Sequence, residues 1–180
     1  ENVYASQLIF TIMDWNCVVG DIIINMFMTA AAQCLAPDSL ITLSDGTTKQ
    51  IKDASYDDEY LSWNFYQGCY EYKKPVVIID HEYDVYGVIE LIFDNGATIK
   101  AVYSHMFLDA DLTDWVTITV DTVANYLGHK FVFVDDVSLN TYQYVTLVDY
   151  KITYEYTKPC TVLTADNLNC VANNTFNISV

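Results

Sequence analysis

Five thiols and three imidazoles, Cys34 and His105 among them, are the side chains of this sequence with the chemistry for acyl transfer. A thiolate is a strong nucleophile, and imidazole titrates near neutrality. Breaking the peptide bond that precedes a cysteine needs three things. The sulfur must be held within attack distance, which orientation inside one chain supplies cheaply. A proton must reach the leaving nitrogen, a task that suits imidazole. The tetrahedral oxyanion needs donors. Cys34 and His105 fill the first two roles; Ser104, Thr161 and backbone N–H groups are candidates for the third. The formal charge of −16 opposes thiolate formation. The expected chemistry is slow, as suits a reaction needed once per molecule.

The elements that must position these groups are strands. After Cys34 comes the rigid Pro37-Asp38 step, where Asp38 reads as a turn-former, then apolar Leu40, Ile41 and Leu43 leading to Asp45-Gly46. Asp-Gly between extended segments is a strong hairpin signal, because glycine accepts positive φ and aspartate tolerates it. Thr47 to Ile51 is the return segment, and Tyr60 to Asn64 a further strand. A hairpin pair is expected over Tyr66 to His81 around Gly68-Cys69, with Val76 to Ile79 as a strand buried on both faces. Tyr83 to Phe93 runs to a second turn at Asp94-Asn95-Gly96, and Ala97 to Val102 alternates out of it towards His105. Asp114 to Ile118 is a short strand. Asp121 is expected to cap a helical turn over Thr122 to Leu127, closed by Gly128. Lys130 to Val134, Gln143 to Tyr156, Pro159 to Thr164 and Cys170 to Asn174 complete a succession of short strands, which means an all-β domain.

Composition narrows the function. The 180 residues suffice for one domain with a real core, and 52% apolar content argues against disorder. A charge of −16 speaks against nucleic-acid binding and against docking on anionic membranes. Cys17, Cys34, Cys69, Cys160 and Cys170 form no Cys-x-x-Cys pair. No zinc site, other metal site or cofactor is therefore expected, and a reducing, intracellular compartment fits the odd number of thiols. His81 and His129 sit among acidic residues and read as ordinary surface or strand histidines.

Residues 1–33 differ from the remainder. From Asn16 to Gln33 polar residues recur at Asn16, Asp21, Asn25 and Thr29, the pattern of a helix with one narrow polar stripe. Asp21 and Asn25 interrupt any membrane span, and acidic Glu1 is unlike the basic start of a signal peptide. The absence of an initiator Met suggests a piece of something longer.

Cys34 with Ala36-Pro37-Asp38-Ser39 resembles the opening motif of the hedgehog/intein (Hint) superfamily. Val102-Tyr103-Ser104-His105, after the Asp-Asn-Gly turn, resembles its Thr-x-x-His motif, with Val102 in place of Thr. Asp114-Trp115-Val116 and the turn ending at Gly128-His129 resemble the segment that follows, where the family has Gly-Asp. Cys160 to Asn174 resembles the late strand-turn-strand motif, with Asp166-Asn167-Leu168-Asn169 and Val171-Ala172-Asn173.

The resemblance implies a horseshoe-like all-β Hint fold of two pseudo-symmetric halves, with the chain ends brought together. It implies residues 1–33 as an N-terminal flank, 34–174 as the domain and 175–180 as a C-terminal flank. In such domains the cysteine attacks the bond before it, here Gln33–Cys34, so the substrate is the protein's own flanking chain. Cys160 and Thr161 occupy positions where family members place a catalytic Asp or Cys, which makes Cys160 a second thiol candidate. Inteins end on His-Asn followed by Cys, Ser or Thr; here Ile178-Ser179 stands in that place. An alternative register has Asn174 cyclise with Thr175 as acceptor. The departures imply N-terminal thioester formation followed by hydrolysis or transfer, ahead of full splicing. The competing expectation is a catalytically silent β module in a larger assembly, docking on a host or partner protein through residues 1–33.

Overall fold

The computed structural model describes residues 33–111, 114–167 and 169–178. The helix expected over 16–33 lies outside them save for Gln33, which opens a strand instead. Strand β1 (Gln33–Leu35) is followed by β2 (Leu40–Thr42) and β3 (Thr48–Gln50), which close the hairpin at Asp45-Gly46. The Asp45 carboxylate accepts from the Thr47 N–H and hydroxyl, and Gly46 takes φ +81°. A 3-10 turn, Ile51–Asp53, then buries Ile51.

Strands β4 (Tyr60–Asn64) and β5 (Cys69–Lys73) form a separate two-stranded ribbon. Gly68, at φ +66°, ends the turn between them, and Cys69 is already in register opposite Asn64. Strand β6 (Pro75–Asp80) departs from expectation: it pairs only with β12 (Cys160–Thr164), at the edge of the large sheet. Its outer edge is unpaired and Val76 is 53% exposed, while Val77 is buried against Leu163 and Ile78 packs on the main core. The continuous apolar run reflects an edge strand with uneven cover.

The large sheet is built around β8 (Thr98–Asp109), twelve residues long. Its first half pairs with β7 (Asp84–Phe93) on one edge and with β1 on the other, since Val102 faces both Val88 and Cys34. Its second half pairs with β9 (Asp114–Thr119) on one edge and with β14 (Thr175–Ile178) on the other, since Phe107 faces both Val116 and Asn177. Between the halves Tyr103 adopts φ +62° and a bulge sets both Tyr103 and Ser104 opposite Gln33. An extra residue of this kind bends and twists the strand that carries it. Ser104 also pairs with Thr119, so β1 shares an edge of β8 with β14.

Strands β10 (Lys130–Asp136) and β11 (Thr141–Thr157) extend the sheet towards β7, and β13 (Cys170–Ala172) links β14 to β2. The expected helical turn is a 3-10 turn, Val123–Tyr126. Asp121 does not cap it. The Thr122 hydroxyl bonds instead to the N–H and hydroxyl of Thr119, which ties the turn to the end of β9. The core runs through Ile41, Tyr60, Leu91, Phe93, Phe107, Phe131 and Phe133, all essentially inaccessible. Phe93 and Phe133 meet edge to face at 4.8 Å, a favoured arrangement for aromatic rings.

The late asparagines are structural clips. Asn169 accepts from the Trp63 N–H and donates to the Trp63 carbonyl, both at 2.9 Å, holding the β4–β5 ribbon. Asn173, at φ +48°, accepts from Leu40 N–H and donates to the Thr98 carbonyl. With Asn174 at φ +61° it forms the two-residue turn from β13 into β14. Asn173→Ala removes two hydrogen bonds and a residue tolerant of this backbone, and is expected to cost about 2–4 kcal/mol. The exposed Asn174→Gly should stay within about 0.5 kcal/mol of wild type in urea unfolding.

Candidate functional site

The Cys34 side chain lies on the face of β1 shared with Val102, Val88 and Ala36, where it is 2% exposed. Three further residues are brought to it by β12 and by the chain leaving β6. Leu35 pairs with Cys160, so Thr161 follows alongside, and its hydroxyl donates to Cys34 Sγ at 3.6 Å. Cys160 pairs with Asp80, so the next residue, His81, reaches the same spot; its Nε2 lies 3.1 Å from Cys34 Sγ. The His81 N–H is fixed by the Pro159 carbonyl at 3.0 Å.

Burial pushes the Cys34 thiol up to about 11, a rise that the Thr161 hydroxyl partly offsets. Burial pulls the His81 imidazole below its ordinary value, with Asp80 opposing. At neutral pH the pair is thus a thiol beside a neutral imidazole. Burial, with the neighbouring Asp80, pushes Cys160 up to about 12. Its thiol donates to Asp80 Oδ1 at 3.5 Å, and the other Asp80 oxygen holds Lys158 at 2.7 Å. That lysine is the main reason the Asp80 carboxyl is held below its ordinary range.

His105 is completely buried on β8, its ring edge-on to Phe107 at 5.1 Å. Its register is informative. Ile178 at the end of β14 pairs with Met106, and Gln33 at the start of β1 pairs with Ser104. Both strands run antiparallel to β8 along the same edge, so they lie end to end. His105 is the single β8 residue between their two partners.

The structure therefore gathers Cys34, Thr161, Cys160 and, by register, His105 around Gln33–Cys34. It does not gather Asn174 and Thr175 there. Asn174 is in the exposed β13–β14 turn, its carbonyl taken by the Val134 N–H at 2.8 Å. Thr175 is buried beyond it, with Oγ1 donating to the Ala172 carbonyl at 2.6 Å. Two successive left-handed residues make this segment a tight hairpin, and the chain reaches the edge beside β1 only at Ile178. Residues 175–178, expected as a flank, are thus part of the sheet.

His81 is the residue that the sequence does not reveal. It lies 47 positions from Cys34, and nothing in its local spacing distinguishes it from His129. That histidine instead bridges to the buried Asp109, Nδ1 to Oδ2 at 2.6 Å. With Asp111 these two form the one group of His, Cys, Asp or Glu ligand atoms close enough for a metal ion among the described residues. The Asp111 and Lys130 N–H groups already occupy carboxylate oxygens of this group. A surface depression lined by Trp63, Phe65, Leu108 and Tyr144 does not include Cys34.

No family model and no curated protein matches the sequence. Solved structures do match. A variant of the Ssp DnaB mini-intein is similar at 24% identity over 82% of this chain and 94% of that one, with a TM-score of 0.66. The DnaB intein from Synechocystis sp. is 23% identical over 82% of this chain and 99% of its own, TM-score 0.66. The KlbA intein precursor from Methanococcus jannaschii is 16% identical over 82% and 91%, TM-score 0.66. The chain has the all-β Hint fold of inteins.

Cys34, Cys160 and the wholly buried Cys170, which burial pushes up to about 12, all have folded pKa values above those of free thiols. Their protonated forms favour folding fully at pH values below about 8.5, and the contribution is lost as pH rises towards the folded values. The urea midpoint is expected to fall between pH 8 and pH 11, and Cys170→Ala should flatten that decline.

Proposed function

We propose that this chain is a single-turnover self-processing domain that attacks its own Gln33–Cys34 peptide bond. The observation that carries the reading is the register on β8: a buried nucleophile beside Gln33, and a buried histidine between the positions where two chain segments meet end to end. A thiol that is 2% exposed is poorly placed for a diffusible substrate. It is well placed for a bond in its own backbone, where proximity is built in. The inteins of the same fold support the same chemistry, an N–S acyl shift.

In this reading Cys34 Sγ attacks the Gln33 carbonyl carbon, and the amide bond gives way to a thioester. His105 delivers a proton to the departing nitrogen of Cys34. The Thr161 hydroxyl, already donating to the sulfur, steadies it before attack. Cys160, next to Thr161 and paired with Leu35, is a reserve thiol that can take over the acyl group. Water or an added nucleophile then discharges the thioester. In the simplest register Ile178 and Ser179 stand where inteins have His-Asn, and in that register no asparagine is there to perform the terminal cyclisation that completes splicing. The outcome is N-terminal cleavage or transfer. The reaction requires Cys34 as a thiol, which a reducing compartment maintains.

Incubating the full chain with dithiothreitol or hydroxylamine should release a fragment whose mass ends at Gln33. Cys34→Ala should abolish release, and His105→Ala should slow it by about 100-fold or more. An intact chain under every folded condition would leave a silent β module.

A further inference from the structure

Resting on the reading of Cys34 as nucleophile, we infer that His81 is the general base of the reaction, taking the thiol proton on Nε2 as sulfur attacks. Of the two side chains hydrogen-bonded to the sulfur among the described residues, only the imidazole is basic enough to take a proton near neutral pH. The Thr161 hydroxyl points its donor at Sγ from 3.6 Å, whereas His81 Nε2 lies 3.1 Å away. The neighbouring carboxylate is committed elsewhere, Asp80 being held by Lys158 and by the Cys160 thiol. Burial raises the thiol and lowers the imidazole, so both are neutral at pH 7. The S–H then donates to a bare Nε2, and the proton crosses only as the C–S bond forms.

The ring is positioned by its own backbone. The His81 backbone N–H is tied to the Pro159 carbonyl at 3.0 Å, and β6 pairs with β12 immediately before it. Asp80 acts on the His81 ring, and Tyr86 and Cys160 interact with Cys34; beyond them Lys158 is paired to Asp80, and Tyr103 and Glu82 lie against Tyr86.

The step balances without any further reactant. The sulfur–carbon bond forms at Gln33, the thiol proton moves to His81, and the Gln33–Cys34 C–N bond breaks. A proton from His105 completes the free amine of Cys34. One histidine loses a proton and the other gains one, and solvent exchange restores both. Dividing the work between His81 and His105 explains how a thiol unfavourable to ionise can still act without existing as free thiolate.

Two measurements on the full chain decide this. The first is a ¹⁵N titration of the His81 ring. It should show the tautomer protonated on Nδ1 and bare on Nε2, and Cys34→Ala should raise the His81 pKa by removing a donor to the neutral ring. A ring protonated on Nε2 at neutral pH, or a pKa unmoved or lowered by Cys34→Ala, overturns the proposal. The second is the pH profile of hydroxylamine-dependent release. In wild type the rate should rise with pH through the His81 pKa. His81→Gln, which fills the same space, should slow release by about 100-fold and erase that inflection. Release within about threefold of wild type with the inflection kept overturns the assignment. If wild type releases nothing, the self-processing reading falls, and the ring titration alone decides whether His81 accepts the thiol proton.

Discussion

The architecture depends on a single left-handed residue in the middle of its longest central strand. Tyr103 has φ +62°, which for a residue with a Cβ costs about 1–2 kcal/mol. It persists because the pairings on both sides determine it: β7 and β1 hold one half of β8, β9 and β14 the other. The Tyr103 ring itself packs edge-on to Tyr86 at 5.2 Å. The bulge turns β8 from one set of partners to the next without ending the strand. Gln33 lies opposite that irregularity, and backbone departures of this kind are places where a bulge re-aims side chains.

Around that bend the two ends of the sheet-forming chain meet. β14 finishes opposite Met106 and β1 starts opposite Ser104, which leaves His105 at the join. The clips that hold this arrangement are polar. Asn173 ties β2 and β8 to the turn before β14, and Asn169 fastens the β4–β5 ribbon. An amide that satisfies backbone groups of a neighbouring strand fixes register, the more so where it is buried as Asn169 is, because a slip would leave those groups without partners.

Much of this was legible in the sequence, and for physical reasons. Asp45-Gly46 and Asp94-Asn95-Gly96 place their glycines at φ +81°, so turn chemistry found both hairpins. The Asp-Asn-x-Asn pattern was visible as a resemblance, while its bonding role appears only with coordinates. Periodicity misjudged β6, since a run of β-branched residues looks the same on a buried strand as on an edge strand with uneven cover. It also gave no hint of His81. That contact depends on β12 lying between β1 and β6, a long-range pairing with no local signature. Asn174 and Thr175 suffered from the same limit. Their types fit an acceptor junction, but two adjacent left-handed residues commit them to a turn.

The electrostatics of the site accord with chemistry done once. A thiol held near 11 in an acidic protein has almost no thiolate at neutral pH, so the site cannot rely on a preformed anion. On the proposed self-processing it would rely on proton movement from Cys34 to the His81 ring in contact with it, and on the effective concentration of a bond in its own backbone. On that proposal the site would gain little from exposure, since its substrate would be its own backbone. Burial that would disable a cysteine acting on external substrates instead protects this one from stray oxidation or alkylation until its own backbone is the electrophile.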